Sequence, residues 1–410
     1  MLYACCGGID GQAKMLVACL IKGGKKESRT FSTMTADLLC LLAWLTQAGC
    51  THVAIESTGV YWRPVVNIRE GSLDVLLTNA RDAKGFKARK TDVIDAEWLA
   101  DLLRHGLLKP RFIPPRPIRE LRELTRYRES LVREQPALAK RIQKLIESAN
   151  IKLGQGASDA LGVSGKARLR ALAAGETDAE KLSQLAHTTL RRKQPQLQQA
   201  LEGRLTQAQR WILGQLLDQY EQVEAAISRV AARITQEVES SPDPFVPEAV
   251  QLLDTIPGVG ETVAQIIVAE IGVDMARFPP AHHLASWAGM CPGNNERAGK
   301  RKSGKTTTGS RYLRAALVQA AWAASHQKGT YLAAQYKRLV KRMGKKKALV
   351  AVGHSILVIV YCVLQNRTKY QELGGDYFDR RNVDKQRKRL IRQLESLGVK
   401  VTVEEVKEAA

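Results

Sequence analysis

The sequence has far fewer acidic than basic residues, few aromatic residues and almost no long apolar run. Its 63 lysines and arginines face 41 aspartates and glutamates, which gives a formal net charge of +22. A protein with this excess of positive charge has nucleic acid as its default partner. An anionic membrane surface is the weaker alternative, because no strongly amphipathic basic helix is predicted at either terminus. We therefore expect no membrane partner.

Paired-cysteine motifs are also missing: there are seven cysteines and no C-x-x-C. Five lie in apolar runs and are predicted to be small buried hydrophobic residues in a reducing cytoplasm, namely Cys5, Cys6, Cys19, Cys40 and Cys50. No basic-then-apolar signal peptide begins the chain. The longest apolar run, Ala348 to Leu364, is marginally short for a membrane span and is predicted to be a buried core helix.

The sequence does have two acidic residues on the predicted apolar face of a helix, in the segment from Arg89 to Leu103. The pattern predicts a helix that begins at Thr91 or Asp92, either of which can cap the first free amides. At about 100° per residue, Asp92 and Asp95 fall on the same arc as the leucines. Two acidic side chains therefore point toward the predicted core.

These two acids have two alternative explanations. An ionised carboxylate is costly to bury, and two neighbouring ones raise each other's pKa. A divalent cation removes this cost, and oxygen ligands suit Mg²⁺. Alternatively, both aspartates cap the helix and interact with its positive end. That explanation suits Asp92 better than Asp95, which lies a full turn into the helix.

The first hundred residues alternate between strand and helix patterns. The predicted strands are Leu2–Ile9 followed by Asp10, Met15–Ile21, Ser28–Phe31, His52–Glu56 and Leu73–Leu77, and a helix is predicted over Ala36–Gln47. Three hairpin strands followed by alternating helices and strands indicate a mixed α/β sheet. Sites in such sheets lie at strand ends, where Asp10 and Glu56 fall, and we expect Asp92 and Asp95 opposite them.

This layout resembles the RNase H/RuvC-like nuclease fold. More narrowly, three segments resemble the DEDD transposases of bacterial insertion sequences, the IS110 family: Gly8-Ile9-Asp10, Ile55 to Trp62, and Lys90 to Ala96. The resemblance implies a metal-binding tetrad of Asp10, Glu56, Asp92 and Asp95 that holds Mg²⁺ or Mn²⁺. It also implies double-stranded DNA as substrate, a structured guide RNA, and a homo-oligomer, either a dimer or a tetramer.

The predicted organisation has four parts: a RuvC-like metal domain over 1–113, a helical coiled-coil arm over 114–245, a mostly α C-terminal transposase domain over 246–370, and a charged tail over 371–410. In the arm, leucines recur every seven residues from Leu124 to Leu145, and an apolar seam runs from Leu216 to Ile234. Pro136 is expected to interrupt and kink the first arm helix. The arm can be an intramolecular hairpin, a contact between protomers, or both.

The C-terminal domain begins with a segment, Leu252 to Ala264, that is typical of a helix-hairpin-helix. Glycines at 258 and 260 would expose backbone amides to a phosphate without reading bases. The alternative is a plain packing element. The positive charge of the chain favours phosphate binding by Gly258 and Gly260.

A segment rich in glycine, lysine and arginine follows, and it predicts a mobile cationic loop suited to a phosphate backbone. Its proposed nucleic-acid contacts are Lys300, Arg301, Lys302, Lys305 and Arg311. A solvated surface is the alternative.

The same loop departs from the family at one position. The resemblance implies a nucleophilic serine after Asn294-Asn295-Glu296, but this chain has Arg297 there. Arginine has no attacking oxygen and is not deprotonated in proteins. Nearby hydroxyls occur at Ser303, Thr306 and Ser310, although nothing in the motif assigns them this role. We therefore interpret the chain as a DNA recombinase. The alternatives are a metal-dependent structure-specific nuclease and a binding-competent inactive transposase copy.

We predict that binding of the chain to DNA weakens steeply with salt and depends little on DNA sequence when no guide RNA is present, because lysine and arginine contact phosphates. Fluorescence anisotropy with labelled duplexes between low and moderate salt measures this. An affinity that stays constant across that range would contradict the prediction.

Overall fold

A computed structural model describes residues 2–57, 59, 61–68, 73–78, 91–108, 112–152, 161–185, 198–293, 295–297, 300–380, 383–398 and 401–402, with the backbone alone at 295–297, 301–303, 383–386 and 388–389. By its internal contacts the chain divides into two units, Met1–Pro114 and Pro115–Ala410. The finer division into four parts stays a prediction.

The first unit is a mixed α/β structure. Its elements are β1 (Cys5–Gly11), β2 (Met15–Lys22), β3 (Lys25–Ser32), α1 (Thr35–Gln47), β4 (His52–Glu56), α2 (Trp62–Ile68), β5 (Asp74–Thr78) and α3 (Asp92–Arg104). The strand order in the sheet is β3-β2-β1-β4-β5. Strands β1 to β3 are antiparallel, whereas β4 and β5 run parallel to β1. This mixed sheet is the predicted architecture and is consistent with an RNase H-like DEDD domain.

Two strand predictions differ from the structure. Strand β1 begins three residues later than predicted and continues through Asp10 to Gly11, because it pairs with β2 along that whole length. Strand β3 extends from Lys25 to Ser32 rather than Ser28 to Phe31. Its extra residues are exposed and polar, so hydrophobicity did not reveal them, although each pairs with β2.

Each face of the sheet has its own core. On one face, Leu38, Leu41 and Leu45 of α1 pack with Ile9 and Ile55. On the other, Leu99 and Leu103 of α3 pack with Cys6 and Ala54. The prediction that five cysteines are buried holds for Cys6, Cys19 and Cys50, while Cys5 is half-buried. It is wrong for Cys40, which lies on the exposed side of α1.

Gly8 brings α3 into direct contact with β1. A Cβ atom at this position would lie 2.2 Å from the carbonyl oxygen of Ala96 and 2.4 Å from the amide nitrogen of Ala100. Both are backbone atoms that cannot turn aside. The helix axis can approach the strand this closely only because residue 8 has no side chain.

The second unit is mainly helical. Its elements are α4 (Arg116–Ser148), α5 (Val163–Ala174), α6 (Ala179–Gln184), α7 (Gln207–Glu239), α8 (Phe245–Asp254), α9 (Glu261–Ile271), a 3₁₀ turn (Met275–Arg277), α10 (Ala281–Trp287), β6 (Asn295–Arg297), β7 (Lys300–Ser303), α11 (Arg311–His326), α12 (Tyr331–Met343), α13 (Lys345–Asn366), α14 (Tyr377–Arg380) and α15 (Val383–Ser396).

The two long helices α4 and α7 pack against each other within one chain. Residues from both form one core: Leu138, Ile142 and Ile146 from α4, and Leu213, Leu217 and Tyr220 from α7. Hydrogen bonds from Gln135 to Tyr220 and from Gln209 to Ser148 show that the helices run antiparallel. An intramolecular hairpin is therefore present, while pairing of protomers stays a prediction.

The expectation that Pro136 interrupts the first arm helix is wrong, since α4 continues from Arg116 to Ser148 with Pro136 inside it. The proline ring is exposed. Core contacts on either side of it, at Leu131 and Leu138, hold the helix together despite the missing amide donor.

Helix α13 is long and apolar enough to cross a membrane by length and composition. In the structure its face from Ala348 to Leu364 is buried and packs on α11 and α12, as expected for a core helix.

The expectation that no amphipathic basic helix lies near a terminus is wrong. Helix α15 exposes Leu390 and Leu394 beside basic residues, and its apolar stripe is too short to stand out among the surrounding charges.

We predict that Gly8→Ala displaces α3 from the sheet and lowers thermal stability, because the new methyl group would overlap two backbone atoms of α3. The matched control is Gly7→Ala, where a Cβ would be no closer than 3.4 Å to Cys19, Val53 or Leu45. Thermal unfolding monitored by circular dichroism compares the two variants. Equal midpoints would contradict the prediction.

Candidate active site and nucleic-acid interface

Asp10 and Glu56 lie side by side at one edge of the sheet. Ile9 of β1 is paired with Ile55 of the parallel strand β4, so the next residue on each strand is an acid. Both side chains are half-buried. The register of the two strands, rather than sequence proximity, brings these acids to one place.

Asp92 and Asp95 occupy the first turn of α3. Thr91 is the N-cap: its Oγ1 accepts a hydrogen bond from the amide of Ile94 at 3.3 Å. The aspartates are therefore not needed as caps, although negative charge in the first turn still favours the helix. Both are half-buried, and they precede the turn, beginning at Ala96, that contacts Gly8.

The four acids are close enough to affect one another electrostatically. Burial, and after it the negative charges of Asp92, Asp95 and Glu56 in that order, together raise the pKa of Asp10 to about 6. This is the environment expected where carboxylates share a site without a counter-ion. The structure thus brings the predicted residues into one electrostatic cluster.

A divalent cation fits the chemistry of this cluster but needs side-chain rearrangement. Four carboxylates offer hard oxygen ligands of the kind that Mg²⁺ and Mn²⁺ prefer. Within the part of the chain that the structure describes, no group of three or more acidic, histidine or cysteine side chains is arranged to hold a metal ion. A bound cation would offset the mutual repulsion of these carboxylates.

The glycine turn between α8 and α9 has two different glycines. A Cβ at Gly258, whose φ is 84°, would lie 2.3 Å from the carbonyl oxygen of Ala320 in α11. Gly258 therefore has a packing role, which was the alternative to phosphate binding. Gly260 has open space around it and is the N-cap of α9. Gly260 leaves room at this turn for a ligand, and phosphate binding by the amides of Gly258 and Gly260 stays a prediction.

The predicted cationic loop is instead a two-stranded ribbon, in which β6 pairs antiparallel with β7. Its base is closed by hydrogen bonds from Gly293 to Lys305 and from Thr307 to Cys291. Arg297 is paired with Lys300 and so lies at the turn end of the ribbon. Lys300, Lys305 and Arg311 are exposed, whereas the side chains of Arg301 and Lys302 lie outside the described part.

Ser310 is engaged in structural contacts. Its hydroxyl accepts a hydrogen bond from the amide of Leu313, which caps α11, and donates one to Glu270 at 2.8 Å. Of the hydroxyls near Arg297, Ser310 is thus tied to the helix start. The side chain of Ser303 lies outside the described part.

The buried carboxylate of Glu270 was not predicted from the sequence. This side chain is 1% exposed and receives two hydrogen bonds from Arg126 of α4, at 2.7 and 2.9 Å. Arg122, one turn earlier, donates to the carbonyls of Ala269 and Glu270 at the end of α9. An acid inside the apolar run Ile266 to Ile271 was the available signal.

A five-stranded mixed sheet with acids at the edge of β1 and β4 and in the first turn of a facing helix is consistent with an RNase H-like, DEDD-type domain. A family model of IS110-type DEDD transposases matches residues 7–151. A second model, described as the transposase IS116/IS110/IS902 family, matches residues 250–337. No curated protein shows a significant match.

The two models agree with each other and together cover more than half of the chain. The chain therefore belongs to the IS110 family of DEDD transposases, and the resemblance noted in its motifs is confirmed. Enzymes of this class cut and rejoin DNA, and their DEDD domains typically depend on a divalent metal.

We predict that Gly258→Ala lowers thermal stability, because the methyl group would overlap the backbone of α11 at a φ that alanine disfavours. Gly260→Ala, the control for packing, should leave stability nearly unchanged. If the turn binds phosphate, Gly260→Ala should nevertheless weaken DNA binding. Unfolding midpoints and anisotropy titrations on both variants separate packing from binding, and equal stability of the two would refute the packing role.

Proposed function

We propose that this transposase catalyses metal-assisted cleavage and exchange of DNA strands for an insertion sequence, with targets selected by a structured RNA. The observation that supports this most directly is the electrostatic cluster of Asp10, Glu56, Asp92 and Asp95 in a chain of this family. Guidance by RNA and assembly into a dimer or tetramer rest on the family resemblance alone.

The four carboxylates would bind the metal ion. A divalent cation bound there would supply positive charge and Lewis acidity to a phosphoryl transfer. The protein's own part is positioning: β1 and β4 fix Asp10 and Glu56, while the contact at Gly8 and the Thr91 cap fix the first turn of α3. Deprotonation of Asp10 gives the charged form that a cation requires.

Strand transfer also needs a nucleophile. In the reaction that the family implies, a serine oxygen forms a bond to phosphorus, a P–O bond of the DNA strand breaks, and the proton of the hydroxyl passes to a base. The leaving strand retains the released oxygen. Arg297 occupies the serine position, so this step has no attacking oxygen there.

Arg297 is the observation that favours a second candidate. If water replaces serine, the same metal cluster makes the chain a structure-specific DNA nuclease. If nothing replaces it, the chain is a transposase copy that binds DNA without exchanging strands. A covalent protein–DNA adduct distinguishes recombination from both, and metal-dependent nicking without an adduct identifies the nuclease.

We predict that Asp95→Ala reduces metal-dependent DNA cleavage by at least about 100-fold, the scale of losing one preorganised electrostatic contact to a transition state. DNA affinity should change little, because Asp95 contributes no positive charge. The matched control is Asp101→Ala, on the same helix but paired with His105 away from the cluster. Cleavage by Asp95→Ala at the wild-type rate would overturn the metal assignment.

We predict that Arg297→Ser restores or greatly raises recombination between donor and target plasmids supplied with the cognate RNA. Loss of the nucleophilic serine cost roughly 10⁶-fold in a serine protease, so regaining one should have a large effect. Mass spectrometry should map a covalent DNA adduct to position 297. Arg297→Ala is the control, since it removes the arginine without adding a hydroxyl.

Two results would contradict this. The unmodified chain could recombine as well as Arg297→Ser, in which case an adduct at Ser303 or Ser310 would identify the replacement nucleophile. Alternatively, Arg297→Ser could stay inactive while the carboxylate cluster still binds metal, which would place the nucleophile elsewhere.

A further inference from the structure

Three arginines surround the ring of Tyr312 at the start of α11. The guanidinium carbon of Arg126 lies 4.6 Å from the ring centroid, that of Arg311 lies 4.8 Å away, and that of Arg133 lies 6.0 Å away. Arg126 and Arg133 belong to the long helix α4, two turns apart, and Arg311 belongs to α11. Tyr312 therefore joins the arm to the C-terminal part of the same unit. We call Arg133, Arg311 and Tyr312 the arginine–tyrosine cluster.

The three arginines are not equivalent. Arg126 makes a bidentate pair with the buried carboxylate of Glu270, which neutralises it. Arg133 contacts Glu129 one turn before it on α4 and is 53% exposed. Arg311 is exposed, and its Nη2 donates a 2.7 Å hydrogen bond to the hydroxyl of Tyr312. Positive charge thus remains at the surface on Arg311, while the charge beneath it is balanced.

The position of Arg311 is unfavourable for the helix itself. It is the first residue of α11, and Arg314 follows in the same turn, where the helix dipole is positive and no acidic residue is present. Packing does not explain Arg311 either, since it is exposed. A guanidinium held at this exposed point is, however, well placed to bind an anion.

Stacking on Tyr312 orients the two exposed guanidinium groups before any ligand arrives. A planar guanidinium that is already held in place loses less conformational freedom when it donates two hydrogen bonds to a phosphate. Arg133 and Arg311 both contact one half-buried ring, so two phosphate-binding groups from different helices are held at one surface. Two separate guanidinium groups, in a chain with a formal net charge of +22, favour a polyanion with repeated phosphates over a single ion.

We propose that the arginine–tyrosine cluster binds the phosphodiester backbone of double-stranded DNA, with Arg133 and Arg311 as the phosphate ligands and Tyr312 as the residue that positions them. Arg311 directly follows the segment that closes the base of the β6–β7 ribbon. DNA bound here lies against the arm helix α4 as well as the C-terminal part. The inference rests on the proposed function and adds a contact from the arm, where the sequence assigned none.

The experiment measures DNA binding by the full chain without cleavage. Anisotropy titrations use a labelled duplex of arbitrary sequence, in chelator, over a series of salt concentrations. The variants are Arg133→Gln, Arg311→Gln and the double substitution. The matched control is Arg233→Gln, because Arg233 of α7 also pairs with a glutamate four residues away and is 57% exposed.

Each cluster variant should weaken binding about 3- to 10-fold. It should also reduce the steepness of the fall in log affinity with log salt by about 0.9, the value for one lost phosphate contact. The double variant should lower the slope by about twice that amount. The control should match the unmodified chain. Unchanged slopes in both single variants would overturn the proposal.

Further experiments test the alternatives. The same titration with an RNA of matching length identifies an RNA site, and a loss of RNA affinity without a loss of DNA affinity would refute the proposal. Tyr312→Leu should weaken binding without changing the salt slope, because it removes the positioning ring but no charge. If a glutamine variant unfolds, Arg133→Lys and Arg311→Lys keep the charge and should show the affinity loss with the slope retained.

The proposed catalytic function is tested separately from DNA binding by the arginine–tyrosine cluster. Asp95→Ala should keep both the affinity and the salt slope of the unmodified chain while cleavage is lost. A cluster that binds DNA in a chain that never cleaves would support the inference and count against the metal-dependent reaction.

Discussion

The first unit depends on the contact between the backbone of α3 and strand β1 at Gly8. The acids of the site come from three separate parts of the chain, and their approach requires the helix to lie directly on the sheet. A side chain at residue 8 would separate the two backbones. The contact also stabilises an unfavourable arrangement, because it holds Asp92 and Asp95 near Asp10, whose pKa is raised first by burial and then by these negative charges. The stability of the fold is thus used to keep like charges together, which is useful only if a cation joins them.

In the second unit, by contrast, a buried carboxylate has oppositely charged and hydrogen-bonding partners. This carboxylate, at Glu270, is balanced by Arg126 and by the hydroxyl of Ser310. A buried carboxylate with these partners holds α4, α9 and the start of α11 in one arrangement, since breaking any contact leaves a charged group unsatisfied. Exposed basic side chains lie at the surface, among them Lys300, Lys305 and Arg311. The excess of basic residues in the composition is therefore available to a polyanionic partner.

The ribbon formed by β6 and β7 changes how the departure at position 297 is understood. In a mobile loop, one residue could be replaced functionally by a neighbour that moves into place. In a paired ribbon, Arg297 is fixed opposite Lys300, and Ser303 is paired with Asn295 at the other end. Ser310 caps a helix and contacts Glu270. The ribbon therefore makes the identity of residue 297 more consequential than the sequence pattern alone suggested.

The sequence by itself determined the element order, the mixed sheet, the helix that carries Asp92 and Asp95, and the basic character of the C-terminal part. These follow from hydrophobic periodicity, turn residues and net charge, which are local or additive properties. Tertiary structure alone decided which glycines are packing contacts, that Thr91 rather than Asp92 caps the helix, that α4 continues through Pro136, and that Tyr312 collects arginines from two helices. Apart from the Thr91 cap, which is a local choice between two adjacent residues, each of these depends on contacts between residues far apart in the chain, whose geometry no local pattern encodes. Gly8 and Gly258 are alike in sequence to Gly7 and Gly260, and only the neighbouring backbone distinguishes them.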